Sequence, residues 1–145
     1  MTLSRTLLFM LLLLSTMLQA QDNTVNYIRI TDAHIRELPP SVRNTAVYMT
    51  ISNSSERNMR LTGVSSEAAE SAMLHRSAME DGMMTMQHVM TIEIPAGESL
   101  VLEPGALHIM LTGLKRNLRD GDSVSLRLEF DDAPDVSVNV QVRKL

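Results

Sequence analysis

The sequence predicts an all-β, single-domain Greek-key β-sandwich or barrel. Short segments rich in Val, Ile, Leu and Met alternate with clusters of Gly, Pro, Asn and Asp, a pattern typical of strands joined by turns. No long amphipathic helical pattern, internal repeat or low-complexity tract interrupts this alternation. Once an N-terminal export signal is set aside, residues 21–145 have the length of one ordinary domain.

Residues 1–20 have the features of a secretory signal peptide. Arg5 supplies a positive charge, and the apolar run Leu7–Leu14 is shorter than the about 20 residues of a transmembrane helix. We expect cleavage after Ala20, export, and no membrane span in the mature chain. An uncleaved membrane anchor is the alternative. The sequence contains no cysteine for a disulfide or for lipid attachment.

Ten candidate strands follow from composition and from the turn signals between them. They are Val25–Thr31, Thr45–Ser52, Met59–Ser65, Ala72–Met79, Met83–Val89, Thr91–Ile94, Ser99–Leu102, His108–Leu114, Ser123–Phe130 and Val136–Val142. The segment Ser65–Ser71 is compatible with one helical turn. The pair Asp81-Gly82 predicts a tight hairpin in which the glycine adopts a positive φ.

Composition and charge exclude several classes of function. Residues 1–20 carry one charged residue, Arg5, so their removal changes the formal charge from −4 to −5. An acidic chain without tryptophan argues against nucleic-acid binding, which needs a basic surface. We find no nucleophile motif and no oxygen-rich loop for a hard cation. The sequence therefore predicts no catalytic residues and no enzymatic activity.

Two histidines and two methionines form the candidate metal site: His75, Met86, His108 and Met110. Strand alternation places His108 and Met110 on one face, opposite the apolar residues on either side of them. Imidazole and thioether donors suit Cu(I). The residues alone leave two interpretations open, because methionine is also a common filler of hydrophobic cores.

Further donors surround this set, and we treat Met84, His88 and Met73 as candidate auxiliary copper ligands, including for Cu(II). A hairpin centred on Asp81-Gly82 places His75 nearest His88 or Val89. A contact between His75 and Met86 then requires a diagonal approach or an asymmetric loop. The alternative is that these residues form a solvated hydrophobic rim. His34 is distant in sequence and is a weaker candidate.

The spacing His-x₁₀-Met-x₂₁-His-x-Met, read as His75, Met86, His108 and Met110, resembles the signature of the periplasmic PCuAC copper chaperones. Segments 45–53, 79–86, 94–105 and 108–115 are also similar to that family. The resemblance implies a cupredoxin-like β-sandwich in which the four residues bind Cu(I). Two departures are visible: Gln87-His88 replaces a common Arg-Pro pair, and His34 replaces an aromatic residue.

The resemblance also implies a role and partners. Such proteins pass copper towards the CuA centre of cytochrome c oxidase, often with a Sco-type thioredoxin-like partner. We therefore expect a periplasmic Cu(I) metallochaperone. A periplasmic copper storage or resistance protein and a metal-free β-sandwich interaction module are the two alternatives.

Overall fold

Ten strands form one continuous hydrogen-bonded sheet in the computed structural model, which describes residues 27–144. They are β1 (Ile28–Arg36), β2 (Thr45–Asn53), β3 (Met59–Ser65), β4 (Ala69–Glu80), β5 (Met83–His88), β6 (Ile92–Ile94), β7 (Ser99–Leu102), β8 (Leu107–Leu114), β9 (Ser123–Phe130) and β10 (Val136–Arg143). The order across the sheet is β5-β4-β8-β2-β1-β10-β9-β3-β6, and β7 pairs with β2 beside β8. Residues 27–144 contain no helix, so the predicted all-β class is confirmed.

Strand β1 connects the two halves of the sheet. It pairs antiparallel with β2 and parallel with β10. The register against β2 shifts between Thr31 and His34, and Asp32 within this bulge has a φ of +51°. Bulges bend a strand and increase its twist, which lets one strand serve two layers. Strands β3 and β4, from opposite halves, lie in contact, so the sheet folds back over a shared core.

The core follows the two-residue period of the strands. In β2, Val47, Met49 and Ile51 are buried, while the residues between them are only partly covered. Removing an apolar side chain of this size from water contributes about 1.5–3 kcal/mol. The largest fully buried side chains are Ile35, Met49, Ile51, Leu61, Ile94, Ile109, Leu111, Leu126 and Leu128.

The predicted strands are present, with two differences from the sequence interpretation. Strand β1 extends to Arg36, five residues beyond the predicted end, because the bulge at Asp32 allows pairing to resume after it. The predicted helical turn at Ser65–Ser71 is wrong: β3 continues to Ser65, a tight turn covers residues 67–68, and β4 begins at Ala69.

The predicted signal peptide, residues 1–20, lies outside the described residues. Within residues 27–144, we find no helix long and apolar enough to cross a bilayer.

The β4–β5 hairpin turns through two residues, as predicted. Asp81 and Gly82 have φ values of +50° and +79°, the combination of a type I′ turn, which matches the right-handed twist of the flanking strands. The turn is symmetric, and Glu80 pairs with Met83 directly across it. This symmetry fixes which side chains meet along the whole hairpin.

Candidate metal site

Three adjacent strands, β5, β4 and β8, share one face that carries the predicted donors. The pairing register arranges the side chains of this face in three rows that run across the strands. His88, His75 and His108 form the central row. On one side of it, Met73 pairs with Met110. On the other side, Met86 pairs with Ser77.

The two predicted histidine ligands lie beside each other. The rings of His75 and His108 are stacked, with centroids 6.1 Å apart and an interplanar angle of 20°. The Nδ1 of His108 donates to the carbonyl of Ala106 at 3.1 Å. This bond fixes the tautomer and leaves Nε2 of His108 as a lone-pair donor, as is usual for a metal-ligating histidine.

His108 is buried although it lies on the face away from the core residues beside it. It lies on the face opposite Ile109, as expected, but only 4% of it is exposed. The stacked ring of His75 helps to cover it. Sequence alternation assigns a face to each residue, but it does not reveal what covers that face.

His75 contains a polar atom with no partner among the described residues. Its Nδ1 is buried and makes no hydrogen bond. An unsatisfied buried polar group costs about 1–3 kcal/mol, and such groups in native proteins frequently have a ligand-binding explanation. The orphaned nitrogen fits a role for His75 in holding a metal ion.

The two predicted methionine ligands differ in their relation to these histidines. Met110 follows His108 on the same face and lies between Met73 of β4 and Ala46 of β2. Met86 is one row away from His75 on the neighbouring strand, a diagonal relation that long side chains can span. Of the two alternatives that the sequence left open, the symmetric turn excludes the asymmetric loop and leaves the diagonal relation.

The candidate auxiliary residues share this face. His88 lies opposite His75, Met73 lies opposite Met110, and Met84 lies opposite Met79, beyond Met86. The hairpin and the segment after it also carry most of the exposed large apolar side chains of the described chain: Met79, Met83, Met84, Met86 and Met90. Thioethers are thus accessible from solvent at the β5 edge.

The face carries no formally charged residue. Its members from β4, β5 and β8 include Ser71, Met73, His75, Ser77, Met79, Met84, Met86, His88, His108, Met110 and Thr112. Within residues 27–144, no three His, Asp, Glu or Cys side chains converge on a common metal position. The arrangement therefore offers neutral nitrogen and sulfur donors, which favour a soft monovalent ion over hard cations.

The shifted pKa values belong to a different part of the molecule. Arg119 N–H donates to Asp122 at 2.9 Å and Arg116 donates at 2.7 Å, and these bonds lower the pKa of Asp122. Arg127 donates to Asp135 at 2.6 Å, which lowers the pKa of Asp135. These exposed pairs fasten loops beside β9 and β10.

His34 lies on β1, two strands away from β8, which carries His108 and Met110. It lies opposite Tyr48, with ring centroids 5.5 Å apart. Its Nδ1 donates to the carbonyl of Asp32 at 2.8 Å. The sequence interpretation did not place Tyr48 or Ala46 near the site. Strand alternation puts Ala46 and Tyr48 on one face of β2. The sequence does not show that β2 pairs with β8, and this pairing is what brings that face beside the site.

The fold and the site together define a class of protein: a small all-β domain that carries histidine and methionine donors on the three strands at one end of its sheet. The chain belongs to the LpqE-like family, described as "Putative lipoprotein LpqE-like", whose sequence profile matches residues 28–142. It is 38% identical over 100 residues to "Putative lipoprotein Lxx21020" of Leifsonia xyli subsp. xyli, covering 68% of this chain and 60% of that protein. It is 31% identical over 102 residues to "Uncharacterized protein RP573" of Rickettsia prowazekii, covering 70% of this chain and 56% of that protein. The chain thus spans less than two thirds of the length of these curated relatives.

Solved structures share the fold. The solution structure of CuI-DR1885 from Deinococcus radiodurans has a TM-score of 0.67 and 34% identity, covering 86% of this chain and 83% of that one. The apo form of DR1885 has a TM-score of 0.64 and 35% identity, covering 82% and 80%. The copper-bound PCuAC domain from PmoF2 has a TM-score of 0.69 at 23% identity, covering 82% and 94%. At that identity the PmoF2 likeness concerns the fold.

Proposed function

We propose that this protein is an exported Cu(I)-binding metallochaperone and not an enzyme. The observation that carries the proposal is the uncharged face of β5, β4 and β8, on which His75 and His108 stack with methionines beside them. The likeness to the solution structure of CuI-DR1885 supports the same ion here. In this proposal the ligands are His75, Met86, His108 and Met110.

The donor set suits both the ion and the compartment. Thiolates in an oxidising compartment are open to oxidation and disulfide formation, and this sequence has no cysteine. Neutral imidazole and thioether ligands leave the site with the +1 charge of the ion. Because no anionic ligand holds the ion, we expect release to an acceptor that carries thiolates.

We further propose the export and delivery steps. Residues 1–20 act as a cleavable signal, residues 21–145 form the mature copper-binding domain, and the protein acts in the periplasm. Relatives named as lipoproteins support export. The proposed acceptor is the CuA-bearing subunit of cytochrome c oxidase or a Sco-type thioredoxin-like protein.

Competition titration of residues 21–145 against a chromophoric Cu(I) chelator tests the binding step. We expect one Cu(I) per chain in the wild type and much weaker binding in Met86→Ala and His108→Ala. Unchanged affinity in both variants contradicts the ligand assignment. Without Cu(I) uptake or thermal stabilisation, the chain is a metal-free interaction module.

Mixing the Cu(I)-loaded protein with an apo CuA domain tests the delivery step. Appearance of the CuA absorption bands supports a chaperone. Tight Cu(I) binding without transfer supports the storage or resistance role instead.

A further inference from the structure

His88 is a third imidazole in the central row, on the side of His75 away from His108. Its ring centroid is 5.7 Å from that of His75, with an interplanar angle of 37°. Val89 N–H donates to the carbonyl of Leu74 at 2.9 Å, so residues 74 and 89 form a hydrogen-bonded pair. His75 and His88 are then a non-hydrogen-bonded pair, the arrangement in which opposing side chains come closest.

The three imidazoles of this row do not converge on one point. His88 and His108 lie on strands that flank β4 on opposite sides, about 10 Å apart by the usual strand spacing. Consistent with this separation, the described residues contain no converging group of three His, Asp, Glu or Cys side chains. An ion bound to His75 can therefore take its second imidazole from His108 on one side or from His88 on the other.

The surroundings of His88 differ from those of His108. His108 is buried, whereas His88 is exposed on β5, the strand at one end of the sheet order. A cleft of about 190 Å³ reaches His88 from the β3 side, between Met73, Met90 and Glu129. Water can therefore reach the coordination positions of an ion bound at this edge that the imidazoles do not occupy.

We propose that His75 and His88 form a second copper position at the sheet edge, which holds Cu(II) with water as its remaining ligands. Imidazole and water suit the tetragonal nitrogen and oxygen coordination of Cu(II), whereas thioethers favour Cu(I). The inference rests on the proposed function through His75, which both positions share. Sharing His75 makes the two positions mutually exclusive, so Cu(I) loading expels Cu(II).

Electron paramagnetic resonance of residues 21–145 titrated with Cu(II) sulfate, with glycine as competing chelator, tests this position. The wild type is expected to hold one Cu(II) with coupling from two imidazole nitrogens. His88→Ala is expected to weaken Cu(II) binding by about 10-fold or more, since even changes beyond the first ligands cost 10–100-fold. Its Cu(I) affinity is expected to fall less than its Cu(II) affinity, because His88 contacts His75 but is outside the proposed Cu(I) ligand set.

Two further variants separate this proposal from the proposed function. His34→Ala, which removes an imidazole paired elsewhere, is the matched control and is expected to change neither affinity. Met110→Leu is expected to weaken Cu(I) binding while the Cu(II) spectrum persists. Equal Cu(II) affinity in wild type and His88→Ala, or an equal loss in His34→Ala, overturns the edge position. A wild type that binds Cu(II) through His88 but takes up no Cu(I) contradicts only the Cu(I) chaperone.

Discussion

Replacing Met86 with leucine removes the proposed sulfur ligand and keeps an apolar side chain of similar volume. Met86 is 56% exposed, so the change should alter the free energy of unfolding of the metal-free protein by at most about 0.5 kcal/mol, as at other surface positions. Cu(I) binding should weaken by about 100-fold or more, because changes beyond the first ligands already cost 10–100-fold.

The two expectations combine in a thermal-shift assay. At free Cu(I) of 1,000 times the wild-type Kd, binding adds about 4.1 kcal/mol to stability. A 100-fold weaker site, at the same free Cu(I), adds only about 1.4 kcal/mol. The difference of about 2.7 kcal/mol corresponds to a Tm about 10 °C lower in copper-loaded Met86→Leu for a domain of this size.

Met83→Leu is the matched control for this assay. Met83 lies on the same strand, is 68% exposed, and points to the opposite face from Met86. We expect its copper-dependent Tm shift to equal that of the wild type. Equal shifts in Met86→Leu and Met83→Leu, measured at buffered free Cu(I), would refute the role of the Met86 thioether.

Three further predictions concern the stability of the fold. Gly82→Ala should destabilise the metal-free protein by about 1–2 kcal/mol in urea denaturation, because residue 82 has a φ of +79°, which is unfavourable for a residue with a Cβ. The added methyl group meets no other atom within 4 Å, so no new contact offsets this backbone strain. Ile109→Ala, at a fully buried position between His108 and Met110, should cost about 2–5 kcal/mol of stability; a smaller loss would mean that the core under the site is loosely packed. Asp122→Asn should be less stable than wild type at pH 7, with the difference disappearing as pH falls from the unfolded value of 3.8 through the lowered folded pKa. A difference that does not begin to shrink as the pH falls below 3.8 would contradict that assignment.

Local chemistry made the hairpin and the faces of its strands predictable. Asp81-Gly82 supplies the two positive φ values of a type I′ turn, and alternation around Ile109 separates the core from the donor face. From these features alone the sequence predicted that His75 would lie nearest His88 or Val89, and the register places it opposite His88. The sequence left open whether Met86 would be related to His75 by a diagonal or by an asymmetric loop.

Other features depend on contacts between distant segments. The pairing of β4 with β8 brings His75 beside His108, yet these residues are far apart in sequence. Neither strand carries a local signal for the other. The bulge at Asp32 and the burial of His108 likewise arise from packing against neighbours that the sequence does not identify. The strand patterns alone did not decide whether His75, Met86, His108 and Met110 form one metal site. The family resemblance is what grouped these four residues.

X-ray absorption spectroscopy of the Cu(I)-loaded domain tests the central claim most directly, because it reports the atoms bound to the metal. The account predicts sulfur scatterers together with imidazole scattering from two histidines, and loss of sulfur scattering when both Met86 and Met110 are replaced by leucine. A first shell of nitrogen and oxygen alone in the wild type would contradict it.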